Sequence, residues 1–127
     1  MPAVDSVERY QRAWRLLEDR QPRRALEVLE PAIEQEPDSV SLRTLRAWAY
    51  FKTAQLNRAE GDLRTLVETC PTDVWARFSL GRTLERQSRL EEALTHLRIA
   101  YAMSGDTEHE VAVMRVERLL ADLAPDR

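Results

Sequence analysis

Glycine, cysteine and lysine are all scarce in this 127-residue chain: three glycines, one cysteine, and Lys52 as the sole lysine among 19 basic residues. So little glycine leaves no Gly-rich loop to cradle a phosphate. Cys70 has no partner for an intramolecular disulfide, and one thiol with two scattered histidines makes no metal-ligand set. It reads as a small hydrophobe near a turn. No segment holds the roughly 18 consecutive apolar residues of a membrane helix, and the N-terminal residues show no basic stretch followed by an apolar run. A cytoplasmic location with no membrane partner is therefore expected. The formal net charge of -3 argues against a general nucleic-acid binder, which normally shows a clearly basic balance and a Lys/Arg stripe. Arginine over lysine most often reflects genome base composition, although arginine also suits bidentate carboxylate binding.

What the chain does have is a period. Ala25, Ala59 and Ala93 are 34 residues apart, as are Leu29, Leu63 and Leu97, and Pro37 and Pro71, with Gly105 in the third place. Small residues at Ala13, Ala47 and Gly81, and large ones at Leu16, Tyr50 and Leu84, share the register. A fixed period of this length marks a stacked repeat in which one helical hairpin is written three times. Helices are predicted near residues 6–19, 22–35, 39–53, 57–69, 73–87, 89–103 and 107–123. Pro22 suits a first helical turn, and Pro37 and Pro71 fall between repeats. Asp5-x-x-Glu8, Ser88-x-x-Glu91 and Thr107-x-x-Glu110 have capping-box spacing and predict three helix starts. Pro31 predicts a kink or break in the second helix.

In this register the chain resembles the tetratricopeptide repeat family, whose pattern runs L-G-x2-Y, then A-x3-F, then P. The closest match is Leu80-Gly81-x2-Leu84 with Ala93-x3-Leu97, and the resemblance covers about residues 6–107. It implies an all-α fold, a right-handed superhelix of antiparallel helical hairpins, forming a single domain over 1–127. The repeats would span about 6–37, 38–71 and 72–105, followed by a C-terminal capping helix near 107–123. The chain departs from the family pattern at Arg9, Arg43 and Arg77, where tryptophan is favoured, and at Arg12 and Arg46, where leucine is favoured. With Glu8, Glu27 and Glu34 interspersed, these arginines read as a solvated, salt-bridged face.

Rotation by about 100° per residue separates three faces on the first helix of each repeat. One carries Ala13, Leu16 and Leu17, then Ala47, Tyr50 and Phe51, then Gly81 and Leu84, and should meet the second helix of its own hairpin. Another carries Leu42, Leu45 and Ala49 in repeat two, but Glu8, Gln11 and Arg15 in repeat one. A face that meets the preceding repeat should be apolar inside the array and polar in the first repeat. The third face has neither duty: Val7, Tyr10 and Trp14; Ser41, Thr44 and Trp48; Trp75, Phe78 and Arg82. All three tryptophans are on it, with Phe51, Lys52 and Arg86 at or beside its edge.

By the family resemblance this third face is the concave groove, where partner peptides commonly bind. Amphipathic aromatics are favoured binding anchors because they bury large area with few rotatable bonds. The expected ligand is a protein or peptide segment with apolar anchors and acidic residues, the latter facing Arg82 and Arg86. The competing assignment puts Trp14 and Trp48 in the core. The basic, asparagine-rich clamp of the family's chaperone-binding members is not reproduced by Tyr10, Trp14 and Trp48. In the last predicted helix Ala112, Val113, Val116, Leu119, Leu120 and Leu123 form an apolar stripe that needs a partner, either the final hairpin or another groove.

Catalytic readings find little to stand on. His96 and His109 fall in different helices without a nucleophile at a partner spacing, and Glu91 and Glu92 diverge as helical neighbours. The expected function is a noncatalytic adaptor or scaffold that needs no cofactor or metal. The alternative is a structural protomer, a homo-oligomer formed through the apolar groove and the last helix.

Overall fold

The structure, a computed structural model, describes the backbone of residues 2–124 and the side chains of residues 6–124. Among these residues are seven α-helices and no strand: α1 (Pro2–Glu18), α2 (Pro22–Gln35), α3 (Val40–Lys52), α4 (Leu56–Thr69), α5 (Val74–Arg86), α6 (Leu90–Ser104) and α7 (Thr107–Leu123). The predicted helices are all present. α2 runs unbroken through Pro31, so the break expected there is absent. The proline is exposed, so water can serve the carbonyl that its missing N–H leaves free.

The helix caps differ from those expected. α1 begins at Pro2, which places Asp5 within the helix. Ser88 adopts a left-handed backbone, φ 62°, incompatible with the extended conformation of an N-cap, and Arg89 takes that position. Thr107 is already helical behind Asp106. Two side-chain caps appear instead where the inter-repeat prolines end: Ser39 accepts from the Leu42 N–H at 3.3 Å and Asp73 from the Ala76 N–H at 3.0 Å. Neither has Glu or Gln three residues on, so the capping-box spacing could not reveal them.

The 34-residue period is written into the backbone as well. Arg20, Ala54 and Ser88 are left-handed, with φ of 60°, 58° and 62°. Behind each, an amide bonds five residues back: Gln21 to the Leu16 carbonyl at 2.8 Å, Gln55 to Tyr50 at 2.9 Å and Arg89 to Leu84 at 2.9 Å. That bond closes the last turn of the first helix in a Schellman arrangement.

Two compact units divide the chain, Met1–Asp62 and Leu63–Arg127. In the first, α1 packs on α2 and α2 on α3, around Ala13, Ala25, Leu29 and Ala47, all without solvent exposure. Small residues in these columns let the helix backbones approach. Leu42, Leu45 and Ala49 are buried, whereas Glu8, Gln11 and Arg15 are exposed. This is the polarity contrast expected between an internal repeat and the first one.

In the second unit α5 packs on α6 and α6 on α7. Gly81 meets Leu97 closely: a Cβ on this glycine would come within 2.7 Å of Leu97 Cδ2 and 3.3 Å of its backbone nitrogen. Leu94 and Leu97 form a core cluster with Ala112, Val113 and Val116, flanked by Phe78, Leu90, Tyr101 and Leu120. α7 thus covers the final hairpin as a cap. Its stripe is longer than the surface it covers, for Leu119 remains 40% and Leu123 72% exposed.

Candidate interaction surface

In the first unit three of the singled-out aromatics come together. Tyr10 and Trp14, one turn apart on α1, stack with ring centroids 6.4 Å apart and planes 20° from parallel. Trp14 then meets Trp48 of α3 edge to face at 5.7 Å and 69°. Both arrangements suit the aromatic quadrupole. Trp14 is nonetheless 40% exposed and Trp48 and Tyr10 are half-buried, so the cluster lies at the surface. Val7 and Lys52 are exposed and Phe51 half-buried. A shallow depression beside the cluster is lined by Tyr10, Gln11, Trp14 and Arg15.

The second unit distributes its residues differently. Trp75 is 40% exposed. Phe78 turns to α7, stacking on the buried His109 ring with centroids 4.2 Å apart. The imidazole Nδ1 is in turn 2.6 Å from the Ser104 hydroxyl. Arg82 lies 3.3 Å from Glu85. Glu85 also accepts two hydrogen bonds from Arg115 of α7, at 2.6 and 2.7 Å, a paired geometry that holds the Arg115 guanidinium above its ordinary pKa. The positive charge expected here from Arg82 is thereby partly neutralised within the fold. Arg86 is exposed.

The arginine columns carry a feature that sequence reasoning missed. Asp62, only 4% exposed, accepts from Arg46 Nε at 2.8 Å, Arg46 Nη2 at 2.7 Å and Arg43 Nη1 at 3.0 Å. Hydrogen bonding to Asp62 raises the Arg46 pKa despite burial. Arg43 and Arg46 are therefore salt-bridged as expected, but to a buried carboxylate and not to the exposed glutamates. Thirty-four residues on, His96 stands opposite Arg77, Nδ1 to Nη1 at 3.5 Å. Burial first, then Arg77 and Arg64, lower the His96 pKa. The signal was available, since Val28, Asp62 and His96 form a column facing Arg9, Arg43 and Arg77.

Two family models, each described as tetratricopeptide repeat, match residues 16–69 and 44–106. The chain belongs to the tetratricopeptide repeat family. Among solved structures it is similar to the TPR domain of Arabidopsis OM64, at 19% identity and a TM-score of 0.86, covering 93% of this chain and 98% of that one. It also resembles the second TPR domain of human RPAP3 in complex with the HSP70 peptide SGPTIEEVD, at 18% identity and a TM-score of 0.83, covering 92% and 98%. A third is the first TPR of Spaghetti (RPAP3) bound to the HSP90 peptide SRMEEVD, at 19% identity and a TM-score of 0.86, covering 92% and 94%. At these identities the likeness establishes the all-α repeat fold. No match was found among curated proteins.

Within this tetratricopeptide repeat chain, no group of three or more His, Cys, Asp and Glu side chains among the described residues could hold a metal ion. No helix among them is long and apolar enough to cross a membrane.

Proposed function

We propose that the protein is a noncatalytic interaction module, an adaptor that captures a segment of a partner polypeptide on the aromatic face of α1 and α3. The observation that carries this reading is the Tyr10, Trp14 and Trp48 cluster: three aromatics in mutual contact, with Trp14 left 40% exposed. A ring that completes no core and is already held by its neighbours loses little further freedom on binding. Val7, Phe51 and Lys52 extend this face. Family members bound to short peptides support the reading. The segment is expected to bring apolar anchors.

The test is selection of displayed peptides on the intact chain, followed by affinity measurement. Trp14→Ala and Trp48→Ala should each weaken a selected apolar-anchored peptide by about 30-fold, the equivalent of roughly 2 kcal/mol. Trp14→Ala should leave the melting temperature nearly unchanged. A large fall in melting temperature with unaltered peptide affinity would return these rings to the core. A second reading, self-association, draws on Leu119 and Leu123, exposed at the end of the apolar stripe of α7. Sedimentation across a concentration series decides it: Leu119→Asp would dissociate a dimer while leaving the chain folded.

A further inference from the structure

The Asp62 clamp shows what this chain's two arginine columns do when a carboxylate is placed between them. Arg43 and Arg46 grip it through three hydrogen bonds of 2.7 to 3.0 Å, in the forked geometry for which guanidinium is suited. The same columns occur in repeat one as Arg9 and Arg12, but there the position of Asp62 is taken by Val28. The fork is present and its internal carboxylate is missing.

An open depression of about 580 Å³ lies at this place, with Arg9, Arg12 and Arg24 around it and Leu16, Val28 and Pro31 among its walls. Arg9 gives one N–H to Gln35 at 2.8 Å and Arg24 one to Gln21 at 3.0 Å. Arg12 is exposed and forms no ion pair among the described residues. Glu27 also borders the depression; it is exposed and pairs with none of the three arginines. Three cations against one carboxylate leave the depression net positive.

We infer that this cleft between α1 and α2 is a carboxylate-binding site for an acidic segment of a partner polypeptide. The fork supplies guanidinium N–H donors, the apolar walls exclude water from one side of the pair, and the surplus charge selects an anion. Carboxylate is the assigned chemistry because a carboxylate is what the same two columns hold one repeat later. Successive residues rotate about 100°, so Arg9 and Arg12 project roughly 160° around α1 from Val7, Tyr10 and Trp14. The acidic site is therefore distinct from the aromatic face, and it stands or falls separately.

The probe is hexaglutamate, blocked at both ends, with hexaglutamine as its neutral counterpart, titrated at low ionic strength into the labelled full chain. Hexaglutamate should bind at least tenfold more tightly than hexaglutamine and shift the side-chain Nε–Hε resonances of Arg9 and Arg12. Val28→Asp, which supplies the carboxylate from within, should reduce binding at least tenfold, as should Arg12→Gln, which does not depend on placing a new buried charge. Glu27→Gln should tighten it by removing the competing anion, and Trp14→Ala should leave it unchanged. No hexaglutamate binding, or binding that survives both Val28→Asp and Arg12→Gln, overturns the site.

Discussion

Repeats two and three solve the same packing problem with different chemistry. In repeat two the arginines of α3 close on Asp62, a buried carboxylate with three short hydrogen bonds. In repeat three the corresponding positions hold Arg77, Leu80 and His96. The arginine stands 3.5 Å from an imidazole, its Nε is buried without a hydrogen-bond partner among the described residues, and beside it Gly81 lies tight against Leu97. The shared period specifies where helices cross and how small the crossing residue must be. It does not specify whether the joint beside that crossing is ionic or apolar, so each hairpin can be tuned without changing its shape.

Asp62→Ala should have the largest effect on this contrast. It leaves two guanidinium groups, each with its side chain about 20% exposed, around an empty space, and breaking such a pair from one side costs about 3 kcal/mol. A thermal melt within a degree of the parent would mean that the clamp is incidental. Gly81→Ala probes the other joint and should cost about 2 kcal/mol, because the added carbon strikes Leu97 and the nearby backbone nitrogen limits retreat. Its control is Gly61→Ala: a Cβ there meets nothing within 4 Å, and the same change in a helix interior should stabilise by about 0.5–1 kcal/mol.

The smallest effect is one of pH. Because burial and Arg77 lower the folded-state pKa of His96, the unfolded chain binds a proton first as pH falls below about 6.5. Stability from this group is complete above that value and is lost as pH drops toward the folded pKa. His96→Gln should flatten this part of the curve in denaturant titrations run between pH 5 and 8. His96→Asp would give Arg77 the partner that Arg43 has, raising stability by up to about 1 kcal/mol and erasing the distinction between the two repeats.

The helices and their small-residue columns were legible because both arise from local periodicity. The contrast of Leu42, Leu45 and Ala49 with Glu8, Gln11 and Arg15 likewise followed from burial alone. Caps were harder: Ser88 has the composition of a capping box, but the hairpin turn requires a left-handed residue there. The Asp62 clamp joins residues 16 and 19 apart, and only alignment of the repeats against one another brings it into view. Phe78 could not be placed from its own helix, because its neighbour His109 enters from α7. Glu85 in the column of Leu17 and Phe51 was the available hint that a cation, Arg115, would arrive from elsewhere.

The three left-handed turns have a consequence for local stability. Gln21, Gln55 and Arg89 each donate their amide across the same five-residue span, and one such amide belongs to each hairpin. In an array stabilised mainly by neighbouring repeats, opening is local and can differ from hairpin to hairpin. After correction for neighbouring side chains, hydrogen exchange at these amides reads three opening equilibria in nearly the same backbone setting. The recurring turn thus equips the chain with matched internal reporters, able to show which hairpin yields first and whether a bound segment steadies one of them or all three.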